Sequence, residues 1–155
     1  MPKLPTQVSE FLSNRSIAVA GVSRDCRQPA NAVYRKLRAS GYRVFAVNPN
    51  TPQVEGDPCY PSIGSVPETA LAVVIATHPN TAVQIVRDCA ELGIHQIWFH
   101  RSFGQGSVSD EAVRECQKLG ISCLVGGCPL MYCKPVDLGH RCMRWILKLQ
   151  DRVPH

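Results

Sequence analysis

Residues 17–23 read Ile17-Ala18-Val19-Ala20-Gly21-Val22-Ser23, and this short stretch decides the fold. A strand with one wet face alternates apolar and polar residues. A continuous apolar run belongs to a strand covered on both faces, as in a parallel sheet between helices. A strand is therefore expected over Ile17–Val22, with Gly21 closing it. Leu71–Ala76 is a second run of the same kind.

Outward from these runs, one unit recurs: a helix-like segment, a Gly and a short β-rich run. It appears as Asn31–Ser40, Gly41, Arg43–Val47, then as Thr81–Leu92, Gly93, Gln96–Phe99, and again as Ser109–Leu119, Gly120, Ile121–Val125. Each Gly stands where a helix ends in the left-handed conformation. The last helix is preceded by Ser107-x-x-Asp110, a variant capping box, and Val113, Cys116 and Leu119 give it an inner stripe. Five strands separated by helices imply a doubly wound α/β domain: a five-stranded parallel sheet with helices on both faces.

The flanking segments are less regular. From Asn48 to Ala70 the chain carries five prolines, which excludes a long helix. An extended piece near Gln53–Tyr60 and a helical turn at Ser62–Val66 are expected there. Residues 1–15 hold a short helix, Thr6–Leu12, outside the sheet. Residues 130–155 form a C-terminal extension with an amphipathic helix near Leu138–Leu149. In this helix Trp145, Ile146 and Leu149 are expected to pack on the core or on a second subunit, so a homodimer is a candidate assembly. The 155 residues fit one domain.

Composition narrows the function. Hydrophobic residues make up 45 % and charged residues 19 %, which excludes a disordered chain. No apolar run is long enough to span a membrane, and the start of the chain lacks the apolar stretch of a secretory signal, so a cytoplasmic location is expected. The net charge of +5 comes from 17 basic and 12 acidic residues, without a block of like charge. That suits a small polyanionic ligand and does not indicate nucleic acid. Eight cysteines contain no C-x-x-C pair; Cys89, Cys116 and Cys123 fall where apolar residues belong and are expected to act as buried hydrophobes.

In such sheets ligands bind beyond the carboxyl ends of the strands, where the strand order reverses. The rule nominates Gly21, Val22, Ser23 and Arg24 after the first strand; Val47, Asn48, Pro49 and Asn50 at the second; Thr77, His78, Pro79 and Asn80 after the third; His100-Arg101-Ser102 after the fourth; and Gly126–Pro129, with Cys128, after the fifth. A Gly at a strand end lets a phosphate approach the backbone, and the next helix offers free N–H groups. Only Gly21 of a dinucleotide G-x-G-x-x-G fingerprint is present, since Ser23 and Cys26 occupy the other glycine positions. An NAD site has an acidic residue about 20 positions on; here the second strand ends in Asn48, which suits a phosphorylated ribose better. Arg24, Arg27 and Arg43 are candidates to neutralise that phosphate.

With these residues in view, the chain resembles the CoA-binding domain family, in particular its small stand-alone members, and is similar to the nucleotide-binding domain of the succinyl-CoA synthetase alpha subunit. The resemblance is carried by Ile17–Ser23, by Val47-Asn48-Pro49-Asn50 followed by Glu55-Gly56 and Cys59-Tyr60, by Pro79, by Gly93 with Ile97-Trp98-Phe99, and by Cys128-Pro129. It runs from about Ser16 to Pro129. It implies a Rossmann-like three-layer fold and coenzyme A or an acyl-CoA held across the strand ends. The Gly21–Ser23 turn would hold the phosphates, Asn48-Pro49 would lie against the adenosine, Thr77–Asn80 would line the far wall, and Cys128 would stand at the mouth. Two positions depart from the family pattern. Cys26 and Gln28 stand where Pro and Lys are usual, with Arg27 or Arg24 expected to supply the charge, and His100 stands in place of Gln.

Binding without catalysis is expected. The phosphorylated histidine of the synthetase lies in a domain absent from these residues, and a Cys128–His100 nucleophile–base pair has no fixed geometry in the sequence. A mixed disulfide between Cys128 and the CoA thiol is a separate candidate. The alternatives are another adenosine ligand, NAD-like or a dephosphorylated CoA, and a metal or redox module built from Cys123, Cys128, Cys133, His140 and Cys142.

Overall fold

The computed structural model describes residues 4–68, 72–101 and 104–154. Leu71, the expected first residue of the third parallel strand, and Ser102 lie outside the described residues, as do Met1-Pro2-Lys3 and Ala70. The elements run α1 (Thr6–Leu12), β1 (Ser16–Ala20), α2 (Pro29–Ala39), β2 (Arg43–Val47), β3 (Gln53–Val54), β4 (Asp57–Tyr60), β5 (Ala72–Ile75), α3 (Pro79–Glu91), β6 (Gln96–Phe99), α4 (Asp110–Lys118), β7 (Ser122–Val125) and α5 (Leu138–Leu149). Short 3-10 turns occupy Ile63–Ser65 and Pro129–Met131.

The sheet order is β3-β4-β2-β1-β5-β6-β7. The five expected strands are all present and parallel. The strand count is corrected from five to seven by the proline-rich segment. Its extended piece folds back through Glu55 and Gly56, both at positive φ, into the antiparallel β3–β4 pair. β4 then adds to the edge of β2 in parallel, Ala46 opposite Cys59 and Val47 opposite Tyr60. The prolines exclude a helix but leave room for this short ladder: Pro58 pairs only toward the edge strand β3, opposite Gln53, and pairing with β2 begins one residue on at Cys59.

Both faces of β1 are covered, which explains its unbroken apolar run. Ile17 and Val19 enter a core with Val8 and Phe11 of α1, Val33 and Leu37 of α2, and Leu147 of α5. Ala18 and Ala20 enter the opposite core with Ala82 and Val86 of α3 and Ala112 and Cys116 of α4. Trp98 of β6 sits edge-on to Phe11 at 5.3 Å, and its indole N–H donates to the Gly126 carbonyl at 2.9 Å, so the N-terminal helix is pinned over the sheet. Gly41, Gly93 and Gly120 all have positive φ at their helix ends.

Three helix expectations change. Ser107 does not cap α4; its hydroxyl donates to the Thr77 carbonyl at 2.6 Å, while Ser109 is the cap, accepting from Ala112 N–H. Leu119 is exposed, so the inner stripe of α4 is Ala112, Val113 and Cys116. In α5 only Leu147 is fully buried; Trp145 is 65 % and Leu149 71 % exposed, so neither packs on this chain's core.

Candidate functional site

The order reverses at β1: the chain passes from β1 to β2 on one side, then returns past it to β5 on the other. A crevice of about 710 Å³ opens there, at the carboxyl ends of β1, β2 and β5. This is within the ordinary range for a small-molecule site. Gly21, Ser23, Val47, Asn48, Pro49, Asn50, Thr77, His78 and Asn80 line it, so nine of the expected residues are brought together.

Gly21 is demanded by the backbone. Its φ is +104°, and a Cβ there would overlap the Ala76 carbonyl at the end of β5. Gly21 N–H donates to the Val47 carbonyl at 2.9 Å, tying β1 to β2 at the rim. Asn48 is the second tie. Its side-chain amide donates to the Val22 carbonyl at 2.9 Å, and its Oδ1 accepts from Asn50 N–H at 2.9 Å. Val22 is fully buried in the core and does not line the crevice.

The loop after β1 is fixed by a residue that the sequence reading passed over. Asn31, buried in the first turn of α2, accepts from Ser23 N–H at 2.9 Å and donates to the Ser23 carbonyl at 2.7 Å and to Glu55 Oε1 at 2.8 Å. Glu55 is also bridged by Arg35 at 2.7 Å, and Arg35 donates to the Cys26 carbonyl. The Ser23 hydroxyl accepts from Asp25 N–H at 3.1 Å.

The expected phosphate arginines are placed elsewhere. Arg27 is paired with Asp25 through Nε at 2.9 Å and Nη2 at 3.1 Å, an exposed pair that holds the Asp25 carboxyl below its usual range. Arg43 starts β2, at the opposite end of the strand from the crevice, and bonds Glu68 at 2.7 Å. Arg24 is exposed and does not line the crevice. Pro79 is the first residue of α3 rather than a wall residue; His78 caps that helix, its Nδ1 accepting from Asn80 N–H. The sequence reading also missed the α3 face formed by Thr81, Gln84, Ile85 and Asp88, which closes one wall. Its signal was available: these positions follow Thr77 at helical spacing.

His100 lies in a second cavity, about 360 Å³, which shares Gly21, Gln28, Ala76 and Thr77 with the crevice. It is 8 % exposed, and burial, with a smaller push from His140, lowers its pKa to about 4. Cys128 is brought to neither. It is 3 % exposed and lines a hollow of about 200 Å³ between α2 and α5. Burial pushes its pKa up to about 12, so it is no ready nucleophile.

The C-terminal metal alternative fails on geometry: among the described residues, no three His, Cys, Asp or Glu side chains converge to hold an ion. Cys123 packs on the α3–α4 side of the sheet, Cys128 and Cys133 on the other, and Cys142 is exposed. Among the described residues no helix is long and apolar enough to cross a membrane.

Comparison with known proteins agrees with the geometry. A family described as the CoA binding domain matches residues 15–134, from the residue before β1 to the segment before α5. The chain is 30 % identical over 82 residues to acetate–CoA ligase [ADP-forming] II of Archaeoglobus fulgidus, covering 52 % of this chain and 12 % of that protein. It therefore spans about an eighth of that curated relative's length. Among solved structures, a hypothetical protein from Pyrococcus horikoshii superposes with a TM-score of 0.69 at 25 % identity, over 79 % of this chain and 89 % of the other. The dinucleotide-forming acetyl-coenzyme A synthetase 1 of Ca. Korarchaeum cryptofilum, solved with phosphate and ADP, gives 0.63 at 25 % identity, over 74 % of this chain and 26 % of that one. With its Rossmann-like sheet, its strand-end crevice and the match across residues 15–134, the chain belongs to the CoA binding domain family.

Proposed function

We propose that this protein binds coenzyme A or an acyl-CoA non-covalently along the strand ends and does no chemistry on it there. The observation that carries the reading is continuity: the two cavities share the rim residues Gly21, Gln28, Ala76 and Thr77, which suits a long ligand laid across the sheet edge. In this reading the larger compartment takes the adenosine end, between Val47 and Ile63 on one side and Ile85 on the other, with Asn48 and Asp88 as polar edges. The diphosphate crosses at Gly21, near the start of α2. The N–H of Ala30, behind Pro29, has no intrahelical acceptor and lines the smaller cavity. The pantetheine arm then runs toward Thr77, Ser107 and His100.

Among the described residues no cysteine lines either cavity, and burial raises the pKa of Cys128 in the adjoining hollow, so no thiol chemistry is assigned to the site.

Calorimetric titration with CoA, 3′-dephospho-CoA and NAD tests the reading. CoA is expected to bind. With Arg27 held by Asp25 and Arg43 at the far end of β2, the 3′-phosphate meets at most Arg24, so dephospho-CoA should bind about fivefold weaker at most. NAD binding as tightly as CoA would favour the other adenosine reading, and absence of heat with CoA would overturn the proposal.

A further inference from the structure

His100 ends β6 with both backbone groups engaged, its N–H on the Ile75 carbonyl and its carbonyl on Ser107 N–H, each at 2.9 Å. The backbone is thereby fixed in place; the residue is 8 % exposed, and among the described residues its ring makes no hydrogen bond, which leaves its nitrogens open to whatever occupies the adjoining space. Polar groups in folded proteins are nearly always paired with protein or water, so a ring with no protein partner at a cavity wall can take a ligand atom in place of water. The ring has two such outlooks. It lines the 360 Å³ cavity with Thr77 and Ser107, and it lines the 200 Å³ hollow with Pro29, Ala32, Leu130 and Met143. Pro29 and His100 belong to both linings, so the imidazole stands in the wall that the two spaces share.

We propose that the site is built for a CoA thioester with an uncharged aliphatic acyl group, His100 donating its ring N–H to the thioester carbonyl and the acyl chain entering the hollow beyond. The inference rests on the CoA reading above and adds the ligand class. A neutral imidazole offers one N–H and one bare nitrogen, and a thioester carbonyl accepts from that N–H where a free thiol gives it little. The hollow is mainly apolar. Among the described residues its lining contains no Arg or Lys, and its second histidine, His140, is already engaged by Asp137 at 2.6 Å. A carboxylated acyl group therefore finds no countercharge. A protein cavity of about 150 Å³ holds a benzene ring, so the hollow of about 200 Å³ has room for about four to six acyl carbons before a longer chain reaches solvent. Met143 and His140 belong to α5, outside the family match over residues 15–134, so this wall is contributed by the chain's own extension.

The test is calorimetry of the whole chain with CoA and with acetyl-, butyryl-, hexanoyl-, decanoyl- and succinyl-CoA. Butyryl- or hexanoyl-CoA should bind about tenfold or more tighter than CoA, from methylene burial and one hydrogen bond. Succinyl-CoA should lose that advantage, and decanoyl-CoA should gain nothing beyond hexanoyl-CoA. His100→Phe keeps the bulk but not the N–H, and should lose more affinity for butyryl-CoA than for CoA, so that most of the thioester preference disappears. His100→Gln, which restores a donor, should recover it. Met143→Trp fills the hollow from α5 and leaves the His100 N–H in place, and should cost hexanoyl-CoA its advantage while sparing acetyl-CoA. Equal affinity of the wild type for CoA and butyryl-CoA, or a preference undiminished in His100→Phe and Met143→Trp, overturns the thioester proposal and leaves CoA binding standing. Binding of neither CoA nor any thioester overturns the CoA reading itself.

Discussion

Asn31 holds Ser23 from both sides, its Oδ1 accepting the Ser23 amide proton at 2.9 Å while its Nδ2 donates to the Ser23 carbonyl at 2.7 Å. The loop that faces the proposed ligand therefore has a fixed path before anything binds. The same amide reaches Glu55 at the β3–β4 turn, so the rim at β1 and the added edge of the sheet are one unit. Asn31→Ala leaves two backbone groups and a carboxylate short of a partner, which should cost about 3 kcal/mol in urea unfolding. CoA affinity, measured where the variant is still folded, should fall as well. A loss under about 0.5 kcal/mol would show that the loop holds its path without Asn31.

Two glycines separate conformation from contact. At Gly41 the φ is +90° with open space around a Cβ, so Gly41→Ala should cost only the dihedral strain, about 1–2 kcal/mol. At Gly21 the dihedral is similarly left-handed, but the added carbon meets the Ala76 carbonyl, whose strand is locked in the sheet. Gly21→Ala should cost about 3 kcal/mol or more. Denaturant unfolding of the two variants side by side reads the difference, and equal costs would mean that β5 gives way at no expense.

The sheet was legible because burial on two faces leaves a mark in one dimension: the runs at 17–20 and 72–75 have no polar residue to turn outward. α1 and α5 were equally plain, since their bounds follow helical periodicity. The β3–β4 addition was hidden because a two-residue ladder carries no period and prolines mask it. At the site, residues fixed by strand direction were found, while those fixed by side-chain pairing were not. Asp25 claims Arg27, and Glu68 claims Arg43; neither pairing follows from spacing along the chain. Asn31 reads as an ordinary helix-surface amide until the loop folds onto it. Cys128 follows two glycines at a strand end and so looks exposed, but the 3-10 turn at Pro129–Met131 carries it under α2 and α5.

His100 makes stability depend on pH. Burial lowers its pKa from about 6.5 to about 4 in the folded chain. Between those values the unfolded chain binds a proton that the folded chain refuses, so stability rises with pH across that window. It is fully present above about pH 6.5 and lost as pH falls toward 4. The shift corresponds to about 3 kcal/mol. The groups facing the ring are His140 and Cys128 across the hollow and Ser107 in the cavity, with no carboxylate among them to offset the cost of the charge. Urea midpoints at pH 7.5 and 4.5 should differ clearly in the wild type, and His100→Gln should remove most of the difference. An unchanged difference in that variant would mean that His100 does not carry the acid sensitivity of this window; carboxylates such as Asp57, whose pKa is lowered by Tyr34 and Arg38, add theirs only below about pH 4.

Thiol chemistry should fall on residues remote from the proposed ligand's sulfur. Cys26 and Cys142 are exposed, Cys123 is half-buried with its pKa lowered by the Cys116 thiol, and Cys59, Cys89, Cys116, Cys128 and Cys133 are buried. A thiol reacts as its thiolate, and desolvation raises the Cys128 pKa to about 12, leaving a vanishing thiolate fraction at pH 8. Treating the folded chain with iodoacetamide or with CoA disulfide at pH 8, followed by peptide mapping, should place the adducts on Cys26 and Cys142 within minutes and leave Cys128 unmodified until denaturant is added. Saturating butyryl-CoA should change neither rate by more than about twofold, since neither residue lines a cavity assigned to that ligand. Prompt modification of Cys128 in the native chain would mean that the hollow between α2 and α5 opens readily, and would bring the mixed disulfide between Cys128 and the CoA thiol back into consideration.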